Sequence, residues 1–147
     1  MIGRLTVPLS TSKTIVSIVD DELDITNLFD DALRNNIDHA SVVTFNDPVI
    51  ALEHFAKYKH RYALVISDMR MPAINGLELL KRIKKLNPMV RTILISAYEF
   101  QNNPIFESYF RDGIINTYVE KPVKIDRLRQ MVREEFGIYQ SELNDKR

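Results

Sequence analysis

The sequence predicts an α/β domain in which a parallel sheet is covered by helices on both faces. Two patterns alternate along the chain: short apolar runs rich in β-branched residues, and longer stretches with apolar residues at three- and four-residue spacing. Continuous apolar runs are typical of strands that are buried on both faces. Five strand–helix units follow one another, and this alternation favours a parallel sheet with right-handed crossovers.

The predicted strands lie at 14–19, 41–45, 63–67, 92–95 and 117–119. The second helix begins after Asp47 as N-cap with Pro48 in its first turn, the fourth begins at Asn103-Pro104, and the fifth ends at Gly137. The apolar stripes of the five helices consist of Ile25, Leu28, Phe29, Ala32 and Leu33; Ala51, Leu52 and Phe55; Leu79, Leu80, Ile83 and Leu86; Phe106, Tyr109 and Phe110; and Ile125, Leu128, Met131, Val132 and Phe136.

Length and composition narrow the class of protein. The 147 residues predict one domain at 13–137, with a flexible leader at 1–12 and a polar tail at 138–147. Because 20 basic residues balance 20 acidic ones, no strong charge favours direct binding to nucleic acid or to a membrane surface. The chain has no cysteine and no apolar run long enough to cross a bilayer, which fits a cytoplasmic protein.

Polar residues follow four of the five predicted strands. Strand one ends at Asp20 and Asp21, strand three at Asp68, strand four at Ser96, and strand five shortly before Lys121. In doubly wound sheets, ligands bind at the carboxyl ends of the strands. We therefore expect three carboxylates, a hydroxyl and an amine to converge at one edge of the sheet.

This combination suits phosphoryl transfer. Clustered carboxylates favour a hard divalent cation, and Mg²⁺ is the usual choice where phosphate is handled. An ionised aspartate is a competent nucleophile towards phosphorus, and a lysine neutralises charge on the transferring group. Taken singly, each residue has a plainer explanation, since Asp and Ser are common caps or turn residues and Lys is usually a surface residue. Their occurrence at the ends of different strands favours the functional interpretation.

The sequence resembles a response-regulator receiver domain of two-component signalling over about residues 13–137. The matching segments are Ile18-Val19-Asp20-Asp21-Glu22, Leu64 to Pro72, Gly76, Ile95-Ser96-Ala97 and Tyr118-Val119-Glu120-Lys121-Pro122. They occur in the order and at the approximate spacing of that family. The resemblance implies a flavodoxin-like fold of five strand–helix units with strand order 2-1-3-4-5.

The resemblance also implies a role for each matching position. Asp68 corresponds to the phosphoacceptor, which takes a phosphoryl group from a histidine kinase or a phosphotransfer protein. The metal site for Mg²⁺ is formed by Asp20, Asp21, Asp68 and the backbone carbonyl of Arg70. The phosphoryl group is bound by Lys121, Ser96 and the backbone of Ala97. Ser96 and Tyr118 are the switch residues that change the face formed by the fourth helix, the fifth strand and the fifth helix, while Gly76 and Pro122 shape the adjoining loops.

The resemblance leaves alternatives open. A Mg²⁺-dependent phosphatase that uses an aspartyl phosphate needs a further acid or base near the nucleophile, but Arg70 stands two residues after Asp68. A scaffold that works without phosphorylation would not need the complete set of site residues. We therefore expect a signalling domain and not an enzyme. The output of this domain would be contact with a protein target or formation of a homodimer. Bulky Arg70 and Tyr98 near the phosphoryl site predict slow hydrolysis of the phosphoaspartate.

Overall fold

A computed structural model of the chain describes residues 13–97 and 103–145. Five parallel strands form one sheet in the order β2-β1-β3-β4-β5, which confirms the predicted topology. The strands are β1 Thr14–Val19, β2 Ala40–Phe45, β3 Tyr62–Asp68, β4 Arg91–Ser96 and β5 Thr117–Glu120. The helices are α1 Leu23–Leu33, α2 Pro48–Tyr58, α3 Gly76–Leu86, α4 Pro104–Arg111 and α5 Ile125–Asp145, with a short 3₁₀ turn at Lys59–Arg61.

Two apolar cores lie on opposite faces of the sheet. One contains buried residues of α2, α3 and α4, and the other contains buried residues of α1 and α5. The central strand β3 is buried along its whole length, because helices cover both of its faces. This explains why its sequence is continuously apolar and not alternating.

Capping residues begin two helices where the sequence predicts. The side chain of Asp47 accepts a hydrogen bond from the backbone N–H of Val49 at 2.8 Å, and Pro48 is the first residue of α2. The side chain of Asn103 accepts hydrogen bonds from the N–H groups of Ile105 and Phe106. Each cap satisfies donors that the first helical turn leaves without a partner.

The predicted apolar stripes are wrong at Leu28, Leu86 and Phe110, which are 48%, 39% and 45% exposed. The other members of these three stripes are buried or partly buried and cover the sheet. Each exception lies at the margin of its helical stripe, where a side chain is turned away from the strands.

The predicted end of the fifth helix at Gly137 is also wrong, since α5 continues to Asp145. A glycine inside a helix costs only about 1 kcal/mol. Apolar contacts of the next turns offset this cost, because Tyr139 is buried and Leu143 packs against the α1/α5 core. Most of the predicted tail is therefore helical, whereas the predicted leader at 1–12 lies outside the described residues. No helix in the described ranges is both long enough and apolar enough to cross a bilayer.

Candidate functional site

Three carboxylates meet at the carboxyl edge of the sheet. Asp20 and Asp21 follow β1, and Asp68 is the last residue of the neighbouring strand β3. One ligand atom of each lies within 4.8 Å of those of the other two. Asp20 is 3% exposed and Asp68 is 9% exposed, whereas Asp21 is open to solvent. The cluster therefore has a buried base and one accessible side.

Backbone contacts hold Asp20 in place. Its Oδ1 accepts a hydrogen bond from the N–H of Glu22 at 2.9 Å, which starts the turn into α1. Its carbonyl oxygen accepts a hydrogen bond from Nδ2 of Asn46 at 2.8 Å, and the same amide donates to Oγ1 of Thr26. Because Asn46 follows β2, three consecutive strands of the sheet contribute to one side of the site.

Burial raises the pKa of the Asp20 carboxyl to about 6. The hydrogen bond from Glu22 and the charge of Lys121 oppose this shift, while the charges of Asp68 and Asp21 add to it. A carboxyl held in this way is costly to ionise unless a cation lies beside it. The elevated pKa of Asp20 thus reflects burial first and the neighbouring carboxylates second.

Lys121 supplies part of the missing positive charge. Its Nζ lies 2.9 Å from Oδ1 of Asp68 and 3.7 Å from Oδ2 of Asp20. Burial lowers the pKa of Lys121, but its hydrogen bond to Asp68 and the nearby carboxylates outweigh burial, so that the net shift is upward. The backbone N–H of Lys121 donates to the carbonyl oxygen of Ser96 at 2.8 Å, which anchors the loop after β5 to the end of β4. The Lys121–Pro122 peptide bond in this loop is cis.

A cleft of about 320 Å³ connects most of the site residues predicted from the sequence. It is lined by Asp21, Glu22, Asp68, Met69, Arg70, Ser96, Ala97 and Lys121. Ser96 is buried at its base, whereas Arg70 and Ala97 lie at its exposed rim. Tyr98, which the sequence places next to this rim, lies outside the described residues.

Gly76 begins α3 directly behind Asp68. Its N–H donates to the carbonyl oxygen of Met69 at 2.8 Å. A Cβ at this position would lie 2.3 Å from the carbonyl oxygen of Asp68 and 2.8 Å from Cδ1 of Leu94. Because real Cβ atoms do not approach backbone so closely, the loop after β3 can follow this path only with glycine.

Tyr118 lies away from the cleft. It lies on β5, is 41% exposed, and packs against two phenylalanines of α4. The structure also shows that sequence reasoning missed Asn46. It stands at the end of β2, the one strand whose end we did not consider, so the rule that identified Asp20 and Asp68 would have identified it too.

The model of the response regulator receiver domain family matches residues 16–133, which is most of the chain and includes all of the site residues above. The chain belongs to this family. Its fold and the convergence of acidic residues and lysine at the carboxyl edge agree with that assignment.

Similar proteins include longer regulators and other members of the family. The chain is 30% identical over 130 residues to the DNA-binding transcriptional regulator NtrC of Escherichia coli; this covers 88% of the chain but 26% of NtrC. It is 36% identical over 75 residues to sporulation initiation phosphotransferase F of Bacillus subtilis, covering 51% of the chain and 58% of that protein. The receiver domain thus spans about a quarter of NtrC, and the activities of such whole regulators do not transfer to it.

Solved structures show the same fold. A receiver domain protein from Clostridium thermocellum is 25% identical, with a TM-score of 0.74 over 88% of this chain and 98% of that one. A CheY-like receiver domain protein from Methanospirillum hungatei is 21% identical, with a TM-score of 0.75 over 89% of this chain and 99% of that one. At such identities the second likeness establishes the architecture alone.

The donor set of this receiver domain suits a hard divalent cation. Three carboxylates offer oxygen ligands within one small volume, and a cation there would favour the charged form of the buried Asp20 carboxyl. Receiver domains bind Mg²⁺ at such an acidic cluster, and the side chains of this chain fit that role. Nζ of Lys121 contacts Asp68, while the carboxylate of Asp21 is exposed in the cleft and is open to a cation from solvent.

Proposed function

We propose that this receiver domain accepts a phosphoryl group on Asp68 from the phosphohistidine of a sensor histidine kinase or phosphotransfer protein. The observation that carries the proposal is the position of Asp68. Its Oδ1 lies 2.9 Å from Nζ of Lys121, within a cluster that has two further carboxylates, and the residue lines a cleft. An aspartate needed only for folding would not require so much uncompensated charge around it.

Asp20, Asp21, Asp68 and the backbone carbonyl of Arg70 would hold Mg²⁺, which supplies positive charge to the incoming phosphoryl oxygens. In the transfer, a carboxylate oxygen of Asp68 bonds to phosphorus as the P–N bond of the phosphohistidine breaks, and the imidazole nitrogen keeps the electron pair. Lys121 then moves from the Asp68 carboxylate to a phosphoryl oxygen. Ser96 and the backbone of Ala97 lie on the same cleft wall and would donate hydrogen bonds to another.

The output would be a change of protein contacts. Ser96 stands at the end of β4 and Tyr118 on the adjacent strand β5, where Leu94 and Tyr118 are register partners. A shift of the Ser96 hydroxyl towards the phosphoryl group would let Tyr118 turn inward. That movement would alter the face formed by α4, β5 and α5, which a downstream protein or a second copy of the chain would then recognise. The chain would catalyse only its own phosphorylation and dephosphorylation.

Incubation with Mg²⁺ and acetyl phosphate, followed by intact mass measurement, tests the proposal. We expect the parent protein to gain the mass of one phosphoryl group, and EDTA or Asp68→Asn to abolish the gain. Asp31→Asn is the matched control, since it removes an exposed carboxylate of α1 that is outside the cleft.

Two other outcomes would replace the proposal with its alternatives. A folded parent protein that gains no mass in the presence of Mg²⁺ would point to a scaffold that works without phosphorylation. Release of inorganic phosphate far in excess of protein would point to a phosphatase.

A further inference from the structure

Three aromatic rings form a cluster where α4 meets the edge strand β5. The ring centroids of Tyr118 and Phe106 are 4.7 Å apart, and those of Tyr118 and Phe110 are 5.6 Å apart, with an interplanar angle of 85° in both pairs. Phe106 and Phe110, four residues apart on α4, are stacked at 6.4 Å. These are the separations and edge-to-face angles that aromatic pairs prefer.

The position of Tyr118 follows from the sheet. Because side chains alternate along a strand, its neighbour Val119 packs into the α1/α5 core and Tyr118 points to the opposite face. β5 is the last strand of the sheet, so helices enclose that face incompletely there. Tyr118 therefore rests against α4 with 41% of its surface exposed.

The two phenylalanines that hold Tyr118 differ in burial. Phe106 is 4% exposed and belongs to the core formed with α2 and α3, whereas Phe110 is 45% exposed. Phe106 is therefore a fixed wall of the domain. Phe110 adds little to the core, but it covers the outer side of the Tyr118 ring.

We propose that Phe110 is a positioning residue: its ring contact with Tyr118, called the latch below, holds Tyr118 in the partly exposed outward position and so sets how readily the domain switches. The inference rests on the proposed role of Tyr118 as a switch residue. A contact that exists in only one of two states stabilises that state. By linkage, contact with Phe110 opposes whatever favours the inward position, including phosphorylation of Asp68.

The test measures binding of a phosphoryl analogue. Beryllium fluoride with Mg²⁺ is titrated into protein labelled with 3-fluorotyrosine, and the half-saturating concentration is read from fluorine NMR. Loss of one edge-to-face aromatic pair predicts that Phe110→Ala binds the analogue about two- to tenfold more tightly than the parent. Ile105→Ala, which removes another exposed apolar side chain from α4, is the matched control and should bind like the parent.

A second measurement separates a latch from a general effect on folding. The resonance of Tyr118, assigned by its absence in Tyr118→Phe, should shift in Phe110→Ala without the analogue towards its position in the analogue-bound parent. Phe110→Leu keeps the apolar bulk but not the ring, and should lie between parent and Phe110→Ala. In a Tyr118→Ala background, Phe110→Ala should leave the half-saturating concentration unchanged.

The outcomes distinguish the latch from the proposed function. If the parent protein neither binds the analogue nor gains a phosphoryl group, the proposed function fails. The latch is wrong, and the phosphorylation site stands, if the parent binds the analogue but Phe110→Ala binds it with the same affinity. The same conclusion follows if Phe110→Ala changes the affinity equally in the parent and in the Tyr118→Ala background.

Discussion

The two ends of the sheet differ in the balance of their charged side chains. At the carboxyl ends of the strands lies the acidic edge, where Asp20, Asp21 and Asp68 face Lys121. At the other end lies the paired edge, a network formed by Lys84, Arg91, Asn116, Glu135 and Glu142. The acidic edge has three carboxylates to one amine, whereas the paired edge has two cations and two carboxylates.

The ion pairs of the paired edge satisfy one another. Nε of Arg91 donates to Oε1 of Glu135 at 2.7 Å, and its Nη1 donates to Oε1 of Glu142 at 3.0 Å. The other carboxylate oxygen of Glu135 accepts a hydrogen bond from the hydroxyl of Thr117. These contacts join the starts of β4 and β5 to the middle and the last turn of α5.

A second group of contacts at the paired edge centres on Asn116. Its Oδ1 accepts hydrogen bonds from Nζ of Lys84 at 2.9 Å and from the N–H of Thr92 at 3.0 Å. Nζ of Lys84 also donates to the carbonyl oxygen of Val90 at 2.6 Å. Buried polar groups with partners of this kind specify one packing arrangement.

The two edges differ in charge balance and not in whether their groups have shifted pKa values. Both edges contain groups with shifted pKa values, so a shifted pKa alone does not identify a site. What differs is the charge balance, since the cations and carboxylates of the paired edge are equal in number, whereas the acidic edge has excess negative charge and opens on a cleft. We therefore expect changes of charge at the paired edge to affect stability, and changes of charge at the acidic edge to affect ligand binding.

The largest effect expected at the acidic edge comes from its backbone. Gly76→Ala should lower the free energy of unfolding by about 3 kcal/mol, because the new Cβ would overlap the carbonyl oxygen of Asp68. Gly137→Ala, a glycine inside α5 with open space around it, should instead raise stability by about 0.5–1 kcal/mol. Urea unfolding measures the free energy of unfolding of both variants. Equal changes in the two variants would show that Gly76 does not constrain the loop behind Asp68.

Glu135→Gln should break the paired edge. The neutral amide leaves Arg91 with Glu142 as its charged partner, so we expect a loss of about 2 kcal/mol in the free energy of unfolding. Phosphorylation by acetyl phosphate should persist in the folded fraction. The adjacent Glu134→Gln alters an exposed carboxylate and should change stability little. A loss of phosphorylation in folded Glu135→Gln would contradict the separation of the two edges.

Asp20→Asn should weaken Mg²⁺ binding without lowering the stability of the metal-free protein, the reverse of Glu135→Gln. Mg²⁺ at ten times its Kd should stabilise the parent by about 1.4 kcal/mol, whereas the variant should lose most of this gain because a ligand is missing. Without Mg²⁺ the variant should be at least as stable as the parent, since burial of the Asp20 carboxyl disfavours its charged form. Thermal unfolding with and without Mg²⁺ provides the comparison, with exposed Asp24→Asn as control. A variant destabilised without Mg²⁺ would show that Asp20 is structural.

The smallest effect concerns Lys84 and pH. Burial, followed by the charge of Arg91, lowers the pKa of Lys84 to about 8 from its usual 10.5. Between these values the unfolded chain binds more protons than the folded one, so the contribution of Lys84 to stability rises with pH from about 8 to 10.5.

Chemical unfolding of the parent and Lys84→Met at several pH values tests this. After allowance for solvent screening, the difference between them should grow in favour of the parent by about 1 kcal/mol or less. Lys85→Met, at an exposed neighbouring position, should show no such trend. A difference that is constant with pH would mean that Lys84 keeps an ordinary pKa.

The order of elements and the main site residues could be predicted from local patterns. Strand and helix periodicities depend on which side chains face a core, and each pattern involves only residues that are close in the sequence. Because parallel strands all end at the same edge, knowing that Asp20, Asp68 and Lys121 follow strands was enough to bring them together. Local sequence patterns therefore predicted the succession of strands and helices and the acidic edge, whereas the strand order came from the resemblance to receiver domains.

Tertiary structure decided what depends on distant partners. Whether α5 stops at Gly137 depends on the burial of Tyr139 and on the contact between Arg91 and Glu142, which are 51 positions apart. The cluster of Tyr118 with Phe106 and Phe110 likewise requires the packing of α4 on β5. No local pattern encodes these contacts, because their free energy arises only when separate elements have already come together.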